Sequence, residues 1–294
     1  MTLRRMFALA LVAVGFTAMP VAADDFATRA AALEKRHGGK LGIAAIDLAD
    51  GRQLGHRADE RFAMCSTFKL LLAAAVAARV DAGAESWDRQ IPYGQDDLLS
   101  YAPVTGKPEN VKAAAMSVAA LCAASMQHSD NTAANLLLES IGGPPALNRF
   151  LRKNGDDISR LDRIEPDLNS NLPGDPRDTT TPRAMVDTMA AILIGDALSQ
   201  ASRERLTGWM TSNRTGDKRL RAAMEANWKT GDKTGTGENG AVNDVAIIWP
   251  GERPPFLIAV FYTGSSATPE EREKVIADAG RLVRNEFAPE RAAR

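Results

Sequence analysis

The chain has 294 residues, 45% of them hydrophobic, with 36 lysines and arginines against 37 aspartates and glutamates. That balance excludes a nucleic-acid binder held by basic patches, and the length allows a large buried core in one or two domains. Three histidines in no ligand pattern and two cysteines support neither a histidine metal site nor a Ser-His-Asp triad, so no metal and no cofactor are expected.

Residues 1–23 read as a secretory signal: Arg4-Arg5, an apolar run from Met6 to Met19, then Val21-Ala22-Ala23 as a small-residue cleavage site. The run is short for a bilayer span, so the mature chain 24–294 is expected in the periplasm or secreted, with no stable membrane anchor. The arginine pair leaves general secretion and twin-arginine export both open. Asp25 to Lys35 carries Phe26, Ala30 and Leu33 on one helical face, and Gly38-Gly39 ends it. Leu41–Leu48 and Arg52–Arg57 read as strands joined by an Asp50-Gly51 turn.

The next stretch organises the chain. From Leu70 to Ala78 it is apolar on every side, which predicts a helix running through a domain core, with Ser66 at its start and Lys69 one turn along the same face. A lysine held in apolar surroundings loses its proton readily and can activate a neighbouring hydroxyl as nucleophile. Ser-x-x-Lys alone is also a common helix start, so the rest of the chain has to decide.

From Ser66 to about Met210 the pattern is helical, with segments at Val111–Gln127, Asn131–Ser140, Ala146–Asn154 and Pro182–Gly195, the last capped by Thr181. Strands return at Trp228–Thr236, Val242–Trp249 and Phe256–Thr263, followed by a helix from Pro269 to Phe287. Two early and three late strands predict one five-stranded antiparallel sheet with flanking helices, plus an inserted all-α region, and a cleft between the two parts. The corresponding domains are 24–62 with 211–294, and 63–210. Cys65 and Cys122 could pair in an oxidising compartment, but both fall in apolar helical segments, which favours two buried free thiols.

Four motifs follow in order: Ser66-Thr67-Phe68-Lys69, Ser129-Asp130-Asn131, Glu165-Pro166-Asp167-Leu168-Asn169, and Lys233-Thr234-Gly235. Together they resemble the class A β-lactamases, the serine penicillin-hydrolysing family, through the whole mature chain. The resemblance implies an α/β serine β-lactamase or penicillin-binding fold, small-molecule β-lactam substrates, a monomer, and a site built from these motifs. Ser66 would be the nucleophile, with the backbone N–H groups of Ser66 and Thr236 meeting the oxyanion. Lys69 or Glu165 would take its proton, and Ser129 would pass one to the departing lactam nitrogen. Glu165 with Asn169 would hold and activate the deacylating water on an Ω-loop, 163–178, closed by an Arg163–Asp178 ion pair and often by a cis bond before Pro166.

Asn131, Lys233, Thr234, Gly235 and Thr236 would bind substrate, and Tyr101 would wall the cleft. Lys229-Thr230-Gly231 repeats the last triplet and by strand period could face the same way; the resemblance selects the later copy, which Thr236-Gly237 and a Gly240 turn follow. Val242 stands where many relatives carry a carboxylate-binding arginine, so Arg219, oriented by Glu273, is the expected replacement, its truncation raising KM with little loss of stability. Gly237 also removes the partner that Cys65 has in some carbapenem-hydrolysing members. Thr236 and Gly237 favour cephalosporins beside penicillins. The rivals are a penicillin-binding peptidase, against which Glu165 and Asn169 argue, and a β-lactam sensor that stays acylated. His128 is read as an ordinary histidine, and Pro108–Ala114 as a lengthened loop.

Overall fold

The structure, a computed structural model, describes residues 21–289, so the expected signal sequence lies outside the described residues except for its last three. Helix α1 spans Val21–His37, and Gly38 breaks it with φ +68°. Strands β1 (Lys40–Asp47) and β2 (Gln53–His56) form the expected hairpin, closed by the Gly51 N–H donating to the Asp47 carbonyl at 2.8 Å. A short strand β3 (Phe62–Ala63) leads into a 3-10 turn at Cys65–Thr67 and then α2 (Phe68–Asp81).

Every residue of α2 from Phe68 to Ala77 is buried, as a sequence apolar on every side after Lys69 requires, and Lys69 is buried with them. Ser66 differs from expectation: it lies in the 3-10 turn ahead of α2 and caps nothing. Cys65, with φ +46°, turns the chain into that segment.

The predicted helix from Val111 to Gln127 is broken. After β4 (Gln90–Pro92) comes α3 (Pro108–Ala113), so the supposed loop before Ser129 is itself helical. Ala114 ends α3 in the left-handed region, β5 (Ala115–Ser117) pairs with β4, and α4 (Val118–Gln127) starts where the Ser117 hydroxyl accepts from the Ala120 N–H. An alanine-rich run carries no local signal of that break. Pairing of Met116 with Ile91 decides it.

Helices α5 (Asn131–Ile141) and α6 (Gly143–Lys153) follow, then the Ω-loop, β6 (Thr179–Thr180), α7 (Pro182–Leu193) and α8 (Gln200–Thr211). β6 pairs with β3 as β5 does with β4, so the stretch 63–210 is not purely helical but carries two small two-stranded ladders. The chain closes with β7 (Lys229–Thr236), β8 (Val242–Trp249), β9 (Phe256–Thr263) and α9 (Pro269–Phe287).

The main sheet has five antiparallel strands in the order β2-β1-β9-β8-β7, with the two ends of the chain meeting at the β1–β9 pair. β9 is buried along both faces, which is why Phe256–Tyr262 reads as a continuous apolar run. Phe256, Ile258, Val260 and Tyr262 pack toward α1 and α9, while Leu257, Ala259 and Phe261 join the larger core around α2. β7 ends the sheet, and its outer side borders the helical region. None of the helices among the described residues is long and apolar enough to cross a membrane.

Candidate active site

Three segments converge on the start of α2. The Cys65–Thr67 turn presents Ser66, the α4–α5 junction presents Ser129 and Asn131, and the end of β7 presents Thr234 and Thr236. All five line one cavity of about 360 Å³, together with Tyr101, Asn169, Thr215 and Arg219. Close backbone approach makes this possible. A Cβ on Gly235 would lie 2.8 Å from the Met64 carbonyl oxygen, and one on Gly237 would lie 2.6 Å from Cys65 Sγ and 2.7 Å from the Asn169 carbonyl oxygen. These glycines let the sheet edge sit against the Cys65 turn and the Ω-loop.

Lys69 Nζ is buried among five oxygens: Ser66 Oγ at 2.9 Å, the Ser129 carbonyl at 2.8 Å, Ser129 Oγ at 3.3 Å, Asn131 Oδ1 at 2.6 Å and Glu165 Oε1 at 2.9 Å. An ammonium has three protons to share among them, so proton positions here can exchange without the heavy atoms moving. Burial pulls the Lys69 amine below the usual lysine range, and the Glu165 carboxylate opposes that shift without cancelling it. Ser66 Oγ is also 3.3 Å from Glu165 Oε1, so the amine and the carboxylate flank one hydroxyl.

Ser129 adopts φ +58°, which carries its side chain between two lysines. Lys233 Nζ donates to its Oγ at 3.1 Å from one side, and Lys69 reaches it from the other. Burial pulls Lys233 down to about 7, with the Lys69 charge adding to the effect. The neighbouring Asp130, and not Ser129, caps α5, accepting from the Ala133 N–H at 2.9 Å and from Thr105 at its N–H and hydroxyl. The later Lys-Thr-Gly copy is therefore the one at the cleft. Lys229 is exposed at the other end of β7, 4.8 Å from the centre of the Trp249 ring.

Glu165 is 1% exposed on the Ω-loop, whose neck is closed by the Arg163–Asp178 ion pair at 2.6 Å; the Glu165–Pro166 peptide is cis. Its second oxygen, Oε2, accepts from Asn169 Nδ2. Its backbone is gripped on both sides by Asn135, whose Nδ2 donates to the Glu165 carbonyl at 2.9 Å and whose Oδ1 accepts the Glu165 N–H at 3.0 Å.

The family model of the β-lactamase enzyme family matches residues 25–287. This chain belongs to that family. It is 44% identical over 261 residues to β-lactamase CTX-M-8 of Citrobacter amalonaticus, covering 89% of each chain. It is 45% identical over 263 residues to β-lactamase L2 of Stenotrophomonas maltophilia, covering 89% of this chain and 84% of that one. An ancestral class A β-lactamase (GNCA) superposes with a TM-score of 0.87 at 56% identity, covering 89% of this chain and all of its own. The β-lactamase described here has the class A fold and is a serine β-lactam hydrolase.

Every candidate named from sequence falls at this cleft or directly behind it. Arg219 stands closer to the fold than expected: it is 6% exposed, and its guanidinium donates to the Gly235 and Asn243 carbonyls at 2.8 Å each and to Thr236 Oγ1 at 2.7 Å. Glu273 pairs with it at 3.4 Å. Because two of those bonds go to buried sheet carbonyls, the expectation that truncating Arg219 spares stability is corrected. Thr215 and Asn135 escaped the sequence reading. Thr215 Oγ1 lies 2.5 Å from Thr234 Oγ1 and has no motif of its own. Asn135 carried a legible signal, one turn after Asn131 on the same face of α5. Both cysteines are free and buried, and burial pushes the Cys65 thiol up to about 12.

Proposed function

We propose that this β-lactamase opens penicillins and cephalosporins through a Ser66 acyl-enzyme that a Glu165-activated water then hydrolyses. The observation that carries this reading is the double contact of Ser66 Oγ, 2.9 Å from Lys69 Nζ and 3.3 Å from Glu165 Oε1. In acylation, Ser66 Oγ attacks the lactam carbonyl. Its proton leaves toward the Lys69–Glu165 pair, directly to the carboxylate or through the amine. The lactam C–N bond breaks, and the nitrogen takes the Ser129 hydroxyl proton, which the two flanking lysines replace. The Ser66 and Thr236 backbone N–H groups stabilise the oxyanion.

In deacylation, a water held by Glu165 and Asn169 loses its proton to Glu165 and attacks the ester carbon, returning the Ser66 hydroxyl. A positioned carboxylate base contributes about 10²–10⁴-fold to such a step. Lys233 and Arg219 supply positive charge for the substrate carboxylate, with Thr234 and Thr236 adding hydrogen bonds; Gly235 lets their strand approach; Asn131 takes the side-chain amide, and Tyr101 walls the mouth. The chain's division into 24–62 with 211–294 and an inserted 63–210 belongs to the same reading, with the cavity between the two parts. So do export to the periplasm or medium, no membrane anchor, and action as a monomer, since one chain supplies the whole constellation.

The test is intact-protein mass followed in time after mixing with benzylpenicillin, for the wild type and for Glu165→Ala. The expected outcome is an unmodified wild type with drug consumed, beside a variant carrying a lasting adduct. A wild type that itself keeps the adduct would make the protein a β-lactam binder and remove Glu165 from the role assigned to it.

A further inference from the structure

Two hydroxyls of β7 line the cavity, and they differ in what stands behind them. Thr236 Oγ1 accepts from Arg219 Nη2 at 2.7 Å, and a guanidinium can only donate, so the Thr236 proton is left to point elsewhere. Thr234 Oγ1 instead lies 2.5 Å from the hydroxyl of Thr215, a group that can donate or accept. Thr215 belongs to none of the four motifs and comes from the segment between α8 and β7.

Behind Thr215 the polarity is fixed. The Thr215 backbone N–H donates to Asn213 Oδ1 at 3.1 Å, and this settles the orientation of the amide, because a backbone N–H cannot accept. The other end of that amide, Nδ2, donates to the buried Asp232 carboxyl group. Asn213 Oδ1 keeps a second lone pair for the Thr215 hydroxyl, 2.9 Å away. Thr215 thus has one proton and two acceptors. In one arrangement it donates to Asn213, and Thr234 donates to Thr215. In the other it donates to Thr234, and the Thr234 proton turns into the cavity. The two differ by two hydroxyl rotations and move no heavy atom.

We propose that Thr215 is a positioning residue for substrate binding: its hydroxyl swings from Asn213 to Thr234 as the substrate carboxylate arrives, and so releases the Thr234 proton for that carboxylate. The proposal rests on the reading of this cavity as the β-lactam site. A carboxylate only accepts, so it meets the Thr234 proton in the second arrangement alone. A hydroxyl that receives one hydrogen bond also donates a stronger one, which adds to the hold on the anion. Without the Thr215 hydroxyl, Thr234 Oγ1 has no donor behind it, while the Asn213 bond to the Thr215 N–H keeps the segment in place.

The experiment measures kcat and KM on benzylpenicillin and on its methyl ester, the same molecule without the anion, for wild type, Thr215→Val and Thr215→Ser. Valine keeps the shape and removes the hydroxyl; serine keeps the hydroxyl. In Thr215→Val the preference for acid over ester, as a ratio of kcat/KM, is expected to fall about fivefold to tenfold, mainly through a higher KM for the acid, as weakening one hydrogen bond to a charged group allows. Thr215→Ser should keep the ratio within about twofold of wild type, and adding Thr215→Val to Thr234→Val should move it by less than about twofold, because Thr215 acts through Thr234. If Thr215→Val does not fold, Thr215→Ala carries the same comparison. A valine variant whose ratio stays within about twofold of wild type, or one that loses both substrates equally, would overturn the proposal. So would a serine variant no better than valine, or a full further drop in the double variant. A wild type inert toward benzylpenicillin would instead bring down the reading of the site, and the proposal with it.

Discussion

Asn135→Ala tests whether the placement of Glu165, and not merely its presence, drives turnover. The substitution deletes two hydrogen bonds, at 2.9 and 3.0 Å, that bracket the Glu165 backbone from α5. Leaving a buried N–H and C=O without partners costs about 1–3 kcal/mol each, and because Asn135 is only half-buried, water will recover some of it, so about 2–4 kcal/mol in total is expected. For a chain of this size that lowers Tm by roughly 5–12 °C. Displacement of the carboxylate by about 1 Å slows a positioned step by roughly 10²-fold.

The assays are thermal unfolding by circular dichroism and stopped-flow hydrolysis of a chromogenic cephalosporin. The expected trace has a burst close to the enzyme concentration and then a slow steady state, because acylation by Ser66 outruns the weakened deacylation. Asn135→Asp keeps the acceptor for the Glu165 N–H and should lose less stability. A Tm within about 1 °C of wild type with no burst would refute the reasoning, since it would mean that the Ω-loop holds Glu165 without α5.

Three further outcomes are expected. Glu34 accepts both Arg57 Nε and Nη2 at 2.8 Å and the Leu41 N–H at 2.9 Å, and the Arg57 bonds lower its pKa from 4.5 to about 2. A depressed carboxylate stabilises the fold above its unfolded pKa, so in urea titrations the gap between wild type and Glu34→Gln should be full at pH 7 and close as pH falls from 4.5 to about 2. Gly237→Ala puts a methyl 2.6 Å from Cys65 Sγ and 2.7 Å from the Asn169 carbonyl; overpacking of this kind costs about 1–3 kcal/mol, should slow benzylpenicillin deacylation, and should be partly relieved by adding Cys65→Ala. Arg219→Ala should raise KM for benzylpenicillin about tenfold or more and lower Tm, because it removes both a charge at the cavity and two bonds to sheet carbonyls; an unchanged KM would exclude Arg219 from substrate binding.

Elements whose signals are local were legible from the chain alone. Helix α9 matches its expected bounds because Thr268 and Glu271 form a capping box and Pro269 opens it, and β9 because only a strand covered on both faces reads as seven apolar residues in succession. The order of the four motifs likewise fixed the family, since each motif is a short backbone shape with its own chemistry. Contacts between distant segments left no such trace. Lys229 and Lys233 have the same strand parity, and only the docking of β7 against Ser129 buries one while the other covers Trp249. The break at Ala114 follows from pairing with Ile91, the depth of Arg219 from carbonyls on two neighbouring strands, and the grip on Glu165 from a helix thirty residues away. Sequence determined which groups this enzyme possesses and what local backbone carries them; tertiary structure decided which of them share a proton, because burial and hydrogen bonding act across space and have no period along the chain.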